Sequence, residues 1–143
     1  ELFGNFAWIH ARFDKADSAD VRSSFSGNTF RLTPEYSFTA GMNLKLKITK
    51  QVQLFAIPAY SWKSHFWFDD LNTAGINQDA YGILNATAGI DLTQAGVSLS
   101  ASATNILDDR FLISAGHAGS RFGIPTFVPG APRMVGMKLT WRF

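Results

Sequence analysis

The chain has 143 residues, which suits one domain, and its 13 Lys and Arg residues nearly balance its 11 Asp and Glu residues. The formal charge of +2 is too small and too dispersed for a nucleic-acid-binding surface. Because cysteine is absent, disulfide frameworks, thiolate metal sites and cysteine nucleophiles are excluded. The longest uncharged stretch, residues 92–107, is interrupted by polar side chains and is shorter than the roughly 20 apolar residues of a membrane-spanning helix.

Alternation of apolar and polar residues predicts the first two strands, because successive side chains of a strand point to opposite faces. Near the start of the chain, an apolar face is expected to oppose a polar one: Ala7, Ile9, Ala11 and Phe13 against His10, Arg12 and Asp14. The second strand, residues 36–48, is about twice as long as an ordinary strand of 5–6 residues. One of its faces is wholly apolar: Tyr36, Phe38, Ala40, Met42, Leu44, Leu46 and Ile48.

Four more strands are predicted in chain order, at residues 52–68, 81–92, 96–103 and 135–143. The first of these is the least regular, because both of its faces carry apolar residues and Pro58 cannot donate a ladder hydrogen bond. We therefore expect a bulge near Pro58. The other three each have one apolar face: Leu84, Ala86, Ala88, Ile90 and Leu92; Val97, Leu99, Ala101 and Ala103; Val135, Met137, Leu139, Trp141 and Phe143.

The connections between these strands alternate in length. Long polar connections at residues 15–34, 69–79 and 108–131 alternate with short turns at residues 49–51 and 93–95. An up-and-down meander would place all the long loops at one end, which is typical of outer-membrane barrels. A strand of about 11 residues tilted by about 40° rises roughly 28 Å, close to the apolar band of about 25 Å in such barrels.

Aromatic residues cluster near both ends of the predicted strands, as in the interfacial girdles of membrane barrels. Four lie toward the long-loop end and two toward the short-turn end: Tyr60, Trp62, Phe66 and Phe68, then Trp141 and Phe143. The alternative is a soluble β-sandwich with a Phe-rich core. Against it stand the length of the strands and the small polar side chains of the second face, which suit a barrel lumen.

Six predicted strands are too few to close a membrane barrel alone. The smallest single-chain barrels have about eight, and an open sheet edge in lipid costs several kcal/mol for each unpaired backbone group. We therefore expect the chain to be the end of a larger barrel, or several copies to share one barrel. The chain begins almost inside a predicted strand, which favours a fragment.

Four short motifs resemble the carboxy-terminal strands of TonB-dependent outer-membrane receptors. Residues 26–28 (Ser-Gly-Asn) and Pro34 precede an alternating strand, and residues 79–85 (Asp-Ala-Tyr-Gly-Ile-Leu-Asn) begin another. Residues 105–111 (Asn-Ile-Leu-Asp-Asp-Arg-Phe) and 129–133 (Pro-Gly-Ala-Pro-Arg) follow, about 20 residues apart, and the chain ends in Phe. The family markers within or beside these motifs are Asn85, Asn105, Asp108, Pro132, Arg133 and Phe143. Their more conservative interpretation is structural, as residues that shape loops and strand ends.

This resemblance implies that residues 1–143 are the carboxy-terminal part of a receptor barrel, without a plug domain. The expected fold is an all-β, antiparallel, up-and-down transmembrane segment of about six strands, the last part of a barrel with about 22. Such receptors lie in the bacterial outer membrane and import iron–siderophore complexes, cobalamin or similar scarce nutrients, driven by the TonB complex through a box ahead of the plug. The implied partners are outer-membrane lipid and lipopolysaccharide, the remaining barrel and plug, the TonB complex, and the assembly machinery that recognises a terminal Phe such as Phe143. No cofactor and no nucleic acid is implied.

Five residues near the predicted mouth are candidates for contact with a substrate: His65, Trp67, Arg110, His117 and Arg121. Arginine can bind anionic chelates through two parallel hydrogen bonds, and aromatic rings suit flat catecholate-like groups. Alternatively, Trp67 belongs to a girdle and the arginines bind lipopolysaccharide or loop carboxylates. No pair of histidines has metal-ligand spacing, so no metal site is expected.

No catalytic residues are predicted. A Gly-x-Ser-x-Gly elbow is absent, and the adjacent pairs Asp69-Asp70 and Asp108-Asp109 would point their side chains in opposite directions. An outer-membrane hydrolase is left open, but the chain is not expected to be an enzyme. The alternatives to a receptor segment are a small self-contained or oligomeric outer-membrane barrel, acting as a passive pore or structural protein, and a soluble β binding module.

Overall fold

The computed structural model describes residues 1–14, 25–119 and 124–142. Within these ranges the chain forms eleven β-strands: β1 (Leu2–Trp8), β2 (Tyr36–Met42), β3 (Leu44–Lys47), β4 (Val52–Lys63), β5 (Phe66–Trp67), β6 (Asn77–Gln78), β7 (Tyr81–Leu92), β8 (Val97–Thr104), β9 (Leu112–Gly119), β10 (Ile124–Pro129) and β11 (Met134–Trp141). Across the same residues, no helix has the length and apolar character needed to span a membrane.

Most of the strands form one antiparallel sheet in the order β1-β2-β4-β7-β8-β11, with β3 also paired to β4. β2 and β3 occupy one strand position, because their ladders with β4 continue in the same register. The sheet therefore has six positions in an up-and-down meander, which confirms the predicted all-β segment of about six strands. β1 and β11 are the two edges, so the sheet is open.

The break between β2 and β3 falls at Asn43, across from the part of β4 that contains Pro58. The N–H of Asn43 donates to the carbonyl of Glu1 at 2.8 Å, so its backbone faces β1. The backbone of Met42 therefore faces β4, where Pro58 has no N–H to donate. β4 and β7 pair from Val52 to Lys63 without a register shift. The expected bulge is thus wrong, and an interrupted ladder with β2 and β3 takes its place.

The first strand differs from its prediction in both position and face. β1 begins at Leu2 and ends at Trp8, before His10. The register places Phe6 opposite Phe38, so the apolar side carries the even-numbered residues, and Ala7 lies on the other face. The alternation from residue 7 onward misled the prediction because it continues past the end of β1 into the loop, where Arg12 pairs with Thr29 in an isolated bridge and not with a strand of the main sheet.

The third predicted strand is also shorter than expected. β4 ends at Lys63, and Phe66 and Trp67 form β5, which pairs with β6 in a separate two-stranded sheet. A second hairpin, β9–β10, lies within the predicted long connection at residues 108–131. Both hairpins belong to what we call the long-loop end, where the chain passes from β1 to β2, from β4 to β7 and from β8 to β11. Residues 48–51 and 93–96 make the turns at the opposite, short-turn end.

The register sorts the main sheet into two faces, because directly opposed residues in an antiparallel pair lie on the same face. The apolar face carries one residue parity from every strand position: Leu2, Phe6, Trp8; Tyr36, Phe38, Ala40, Met42, Leu44, Leu46; Val52, Leu54, Ala56, Pro58, Tyr60, Trp62; Leu84, Ala86, Ala88, Ile90, Leu92; Val97, Leu99, Ala101, Ala103; Val135, Met137, Leu139, Trp141. The polar face carries mainly Ser, Thr, Gly, Asn and Lys. Outside β1, the predicted parities are confirmed.

Candidate functional site

The apolar face is exposed along much of its area. Leu2, Leu46, Val135 and Met137 are among its most accessible side chains, and no second layer of the described chain covers it. A contiguous exposed apolar surface of this kind marks an interaction with lipid or another protein. Buried hydrophobic residues in the described part of the chain are confined to a small cluster at the long-loop end.

Aromatic side chains gather on the apolar face near the long-loop end. The rings of Phe38 and Trp62 stack with centroids 5.8 Å apart, and Phe38 also lies 5.9 Å from Tyr60. Across the first ladder, Phe6 lies 6.4 Å from Tyr36. Rings with a polar atom at one edge suit a boundary between an apolar layer and water. Tyr60 and Trp62 therefore occupy the position expected of a girdle.

Phe66 and Phe68 do not belong to that band, which corrects their predicted place in a girdle. They are buried with Ile76 and Ala115, and their rings meet edge to face at 5.2 Å. This group, which we call the loop core, joins the β5–β6 hairpin to β9. Buried Gln78 connects the same elements, because its Oε1 accepts a hydrogen bond from the N–H of Leu112 at 2.6 Å. The long-loop end therefore has a packed core of its own.

A second group at the long-loop end is polar, and we call it the Asn105 cluster: Asn85, Asn105, Asp108, Asp109 and Arg133. Asn105 is 3% exposed and stands where β8 ends. Its Oδ1 accepts from the N–H of Asp109 at 3.0 Å, and its Nδ2 donates to the carbonyls of Asp109 and Ala131 at 2.9 and 3.1 Å. The Oδ1 of Asn85 accepts from the N–H of Asn105 at 3.0 Å. The side chains of Asn85 and Asn105 together thus tie β7, the end of β8 and the approach to β11.

The carboxylates of the Asn105 cluster accept hydrogen bonds from backbone N–H groups at the same junction. Asp108 Oδ1 accepts from the N–H of Arg133 at 3.1 Å, and Asp109 Oδ2 accepts from the N–H of Gly82 at 3.1 Å. Asn105 and Asp108 both have positive φ, 49° and 55°, a conformation that Asn and Asp tolerate better than other side chains. Four of the six predicted family markers therefore meet at one strand junction. Pro132 lies beside them, and Phe143 lies outside the described residues.

The candidate substrate-contact residues are only partly brought together. His65 and Trp67 meet edge to face with ring centroids 4.9 Å apart, and the carbonyl of Trp67 accepts from the N–H of Leu32 at 2.7 Å. Arg110 is exposed and lies on a different segment, in the wall of a cleft described below. His117 lies in β9, where the structure describes only its strand placement. Arg121 lies outside the described residues.

Two of the clefts along the sheet are lined in part by charged side chains. The first, of about 590 Å³, lies at the long-loop end between residues 108–112 and 129–132 and contains Arg110. In one of its walls Phe111 stacks on Tyr81, with centroids 4.7 Å apart and an interplanar angle of 5°. The second, of about 690 Å³, lies at the short-turn end and is lined by hydroxyl groups together with Asp91, Lys138 and Arg142. The long-loop cleft offers the guanidinium of Arg110 to an anionic ligand group, beside the carboxylates of Asp108 and Asp109, each of which accepts a hydrogen bond from a backbone N–H.

Glu35 adds a titratable contact at the long-loop end, at the point where the chain enters β2. Its Oε1 lies 3.4 Å from Nδ1 of His10 and accepts a 3.5 Å hydrogen bond from Nε1 of Trp8. These two hydrogen bonds, that of His10 first, hold the pKa of the Glu35 carboxyl below its usual value near 4.5. In the described part of the chain, no group of three or more His, Asp or Glu side chains is arranged to hold a metal ion.

An open antiparallel meander with one apolar face, and with long and short connections that alternate, has the architecture of a segment of a β-barrel wall. Among solved structures, the chain is similar to the ferric yersiniabactin uptake receptor FyuA from Yersinia pestis, with a TM-score of 0.70 and 21% sequence identity. The similarity covers 80% of this chain and 17% of that chain. It shows a shared fold and agrees with the predicted barrel segment. No protein-family model and no curated protein sequence matches the chain.

Proposed function

We propose that the chain is part of the barrel wall of a TonB-dependent receptor in the bacterial outer membrane, and that this receptor imports a ferric chelate. Residues 1–143 would form the carboxy-terminal part of the barrel. The partners would be lipid and lipopolysaccharide on the apolar face, the rest of the barrel and the plug, the TonB complex, and the assembly machinery through Phe143. The transport role would belong to the whole receptor.

One observation carries this proposal: the register places the predicted apolar parity of four strand positions, and the even-numbered residues of β1 and β4, on a single exposed face. A soluble sandwich would need a second sheet over that face. The similarity to a ferric chelate uptake receptor supports the substrate class, because the shared fold covers most of this chain. The similarity covers only 17% of that receptor, which supports a part of a transporter rather than a complete one.

The mouth of the barrel is the proposed place of substrate contact. His65 and Trp67 present two rings in edge-to-face contact at the long-loop end, and Arg110 offers an exposed guanidinium in the long-loop cleft. Aromatic rings and a guanidinium together suit a flat, anionic iron chelate. His117 and Arg121 belong to the same proposal through their place in the chain. No residue is proposed to be catalytic.

The test is iron uptake by a Gram-negative strain that lacks its own ferric chelate receptors. The gene that encodes this chain is expressed there, and uptake of radioactive iron is measured from catecholate, hydroxamate and phenolate chelates. We expect uptake of at least one chelate, and its loss when TonB is deleted. Equal uptake with and without TonB would contradict the proposal and favour a passive pore. Recovery of the 143-residue chain as a folded monomer in plain buffer would contradict the membrane location.

The substrate-contact residues are tested in the same strain. We expect Trp67→Ala and His65→Ala to raise the half-saturating chelate concentration by about tenfold each, which corresponds to about 1.4 kcal/mol of binding. Trp62→Phe is the matched control, because Trp62 lies on the apolar face and should not meet the substrate. An unchanged half-saturating concentration in both Ala variants would refute their role.

A further inference from the structure

The loop between β1 and β2 and the loop between β4 and β7 lie against each other at the long-loop end. Residues 28–32 of the first loop, which we call the strap, run alongside residues 67–72 of the second loop in the opposite direction. At one end of the strap, the N–H of Leu32 donates a hydrogen bond to the carbonyl of Trp67 at 2.7 Å. The strap is therefore bonded directly to a residue of the proposed substrate site.

Asn72 binds the other end of the strap. Its Oδ1 accepts hydrogen bonds from the N–H and the Oγ1 of Thr29, at 2.9 and 3.1 Å. Its Nδ2 donates to the carbonyls of Thr29 and Asp69, at 3.0 and 3.2 Å. The backbone of Asn72 has a φ of 53°, a conformation that Asn tolerates better than most side chains. One side chain thus joins the strap to the second loop.

Asp70 holds the middle of the strap, with weaker contacts. Its carbonyl accepts from Nδ2 of Asn28 at 2.9 Å, and its Oδ1 accepts from the N–H of Arg31 at 3.2 Å. The Nε of Arg31 lies 3.7 Å from Asp70 Oδ2, but this ion pair is partly exposed to water and contributes little. The hydrogen bonds between Asn72 and Thr29 are partly shielded from water. Asn72 is therefore the main anchor of the strap.

Trp67 is held from its other side by the loop core. Its neighbours Phe66 and Phe68 are both buried there, and the N–H of Phe68 donates to the carbonyl of Ile76 at 3.0 Å. Successive side chains of an extended segment point in opposite directions, so the Trp67 ring points away from the loop core. There it meets the ring of His65. The loop core and the strap together fix the position of the Trp67 ring.

We propose that Asn72 is a positioning residue, which holds the strap on the second loop, keeps the Trp67 ring beside His65 and so sets the affinity for the ferric chelate. The identity of the ligand rests on the proposed function, whereas the placement of Trp67 by Asn72 does not. The polar atoms of the Asn72 side chain are engaged by Thr29 and Asp69, so Asn72 acts through Trp67 rather than on the chelate. Its loss should weaken chelate binding and leave the later steps of transport unchanged.

Three variants separate this role from a general effect on the loops. Asn72→Gly removes the side-chain hydrogen bonds but accepts the positive φ. Thr29→Val removes only the hydroxyl bond from the strap side, so its effect should have the same direction and be smaller. Asn77→Ala is the matched control, because Nδ2 of Asn77 in the same loop reaches only Asp79 Oδ1, at 3.4 Å.

The first measurement is iron uptake in the strain used to test the proposed function, together with the amount of receptor at the cell surface. We expect Asn72→Gly to raise the half-saturating chelate concentration about fivefold, less than Trp67→Ala, because the ring is displaced but still present. Thr29→Val should raise it about twofold, and Asn77→Ala should leave it unchanged. The maximal rate and the surface amount should stay at the wild-type level in all three variants.

The second measurement observes the Trp67 ring without any chelate. The protein encoded by the gene is purified in detergent with 5-fluorotryptophan in place of tryptophan, and Trp67→Phe identifies the fluorine resonance of Trp67. His65→Ala shows how far the resonance moves when the edge-to-face contact is lost. We expect Asn72→Gly to move the Trp67 resonance in the same direction as His65→Ala, and Asn77→Ala to leave it in place.

A raised half-saturating concentration at an unchanged maximal rate, together with a moved Trp67 resonance, supports the proposal. An unchanged half-saturating concentration in Asn72→Gly would overturn it. So would a fall in the maximal rate or in the surface amount alone, since that result describes a merely structural residue. If the wild type imports no chelate, the proposed function fails separately and the fluorine resonance decides. An unmoved Trp67 resonance in Asn72→Gly would then overturn the role of Asn72, and a moved one would support the placement of Trp67 by Asn72.

Discussion

Replacement of Asn105 by alanine should destabilise the chain more than any other single change in the Asn105 cluster. The side chain is buried and makes three hydrogen bonds, two with the backbone of Asp109 and one with the carbonyl of Ala131. Its backbone also has a φ of 49°, which alanine adopts at a cost. Asn105→Ala therefore removes three bonds and adds backbone strain.

The magnitude follows from these two contributions. Three hydrogen bonds at about 1 kcal/mol each give about 3 kcal/mol, and the positive φ adds about 1 kcal/mol. We expect Asn105→Ala to lower the free energy of unfolding by about 4 kcal/mol and Asn105→Gly by about 3 kcal/mol, because glycine accepts the positive φ. Asp108→Ala is the matched control: it has a similar φ but one exposed hydrogen bond, so we expect a loss of about 1–2 kcal/mol.

The assay is denaturant unfolding of the chain in phospholipid vesicles, followed by tryptophan fluorescence. Hydrogen exchange of the Asp109 amide gives a local readout, because that N–H is bonded to Asn105 Oδ1 and should exchange faster in both Asn105 variants. An Asn105→Ala chain within 1 kcal/mol of the wild type would refute the reasoning. So would an Asn105→Gly chain that is less stable than the alanine variant.

Two further predictions concern the long-loop end. Gly130→Ala should lower the free energy of unfolding by about 1–3 kcal/mol, because the new Cβ would collide with the Phe111 ring. Gly116→Ala is the control: its new Cβ meets open space, so the same unfolding assay should show no change. Folding lowers the pKa of the Glu35 carboxyl, so its ionised form stabilises the folded chain. This contribution is fully present above the pKa of the unfolded chain, near 4.5, and is lost as the pH falls through the lower pKa of the folded chain. As the pH is lowered through this range, the unfolding midpoint of the wild type should therefore decrease relative to that of Glu35→Gln. A difference between the two midpoints that stays constant at all pH values would exclude the contact with His10.

The sequence predicts the sheet well because its strands are long and two-faced. A period of two is a strong signal when one face meets an apolar layer along its whole length, as in residues 36–48. The signal fails at the first strand, where the aromatic residues Phe6 and Trp8 lie on the apolar face but the alternation from Ala7 onward favours the other parity. It also fails at Pro58, because the sequence does not indicate which of the two neighbouring strands faces the position where Pro58 has no N–H.

The long-loop end is harder to predict, because its contacts join segments that are distant in sequence. Phe66 and Phe68 are two residues apart, as aromatic residues on one face of a strand would be, yet they pack against Ile76 and Ala115 in the loop core. Periodicity indicates that two side chains share a face, but it does not indicate what covers that face. The motif beginning at Asn105 indicates the end of a strand. The hydrogen bond from Asn105 to the carbonyl of Ala131 is not predictable in the same way, because the chain returns to Asn105 only 26 residues later.

Quenching of tryptophan fluorescence by brominated lipid tests most directly whether the apolar face meets the membrane. The chain has four tryptophans, of which Trp8, Trp62 and Trp141 lie on the apolar face and Trp67 lies beside His65 at the long-loop end. Four variants, each with one tryptophan kept and the others replaced by phenylalanine, are folded into vesicles with and without bromine. The proposed orientation predicts strong quenching of the three apolar-face tryptophans and little quenching of Trp67. Equal quenching of all four, or none at Trp8, Trp62 and Trp141 in a folded chain, would contradict it.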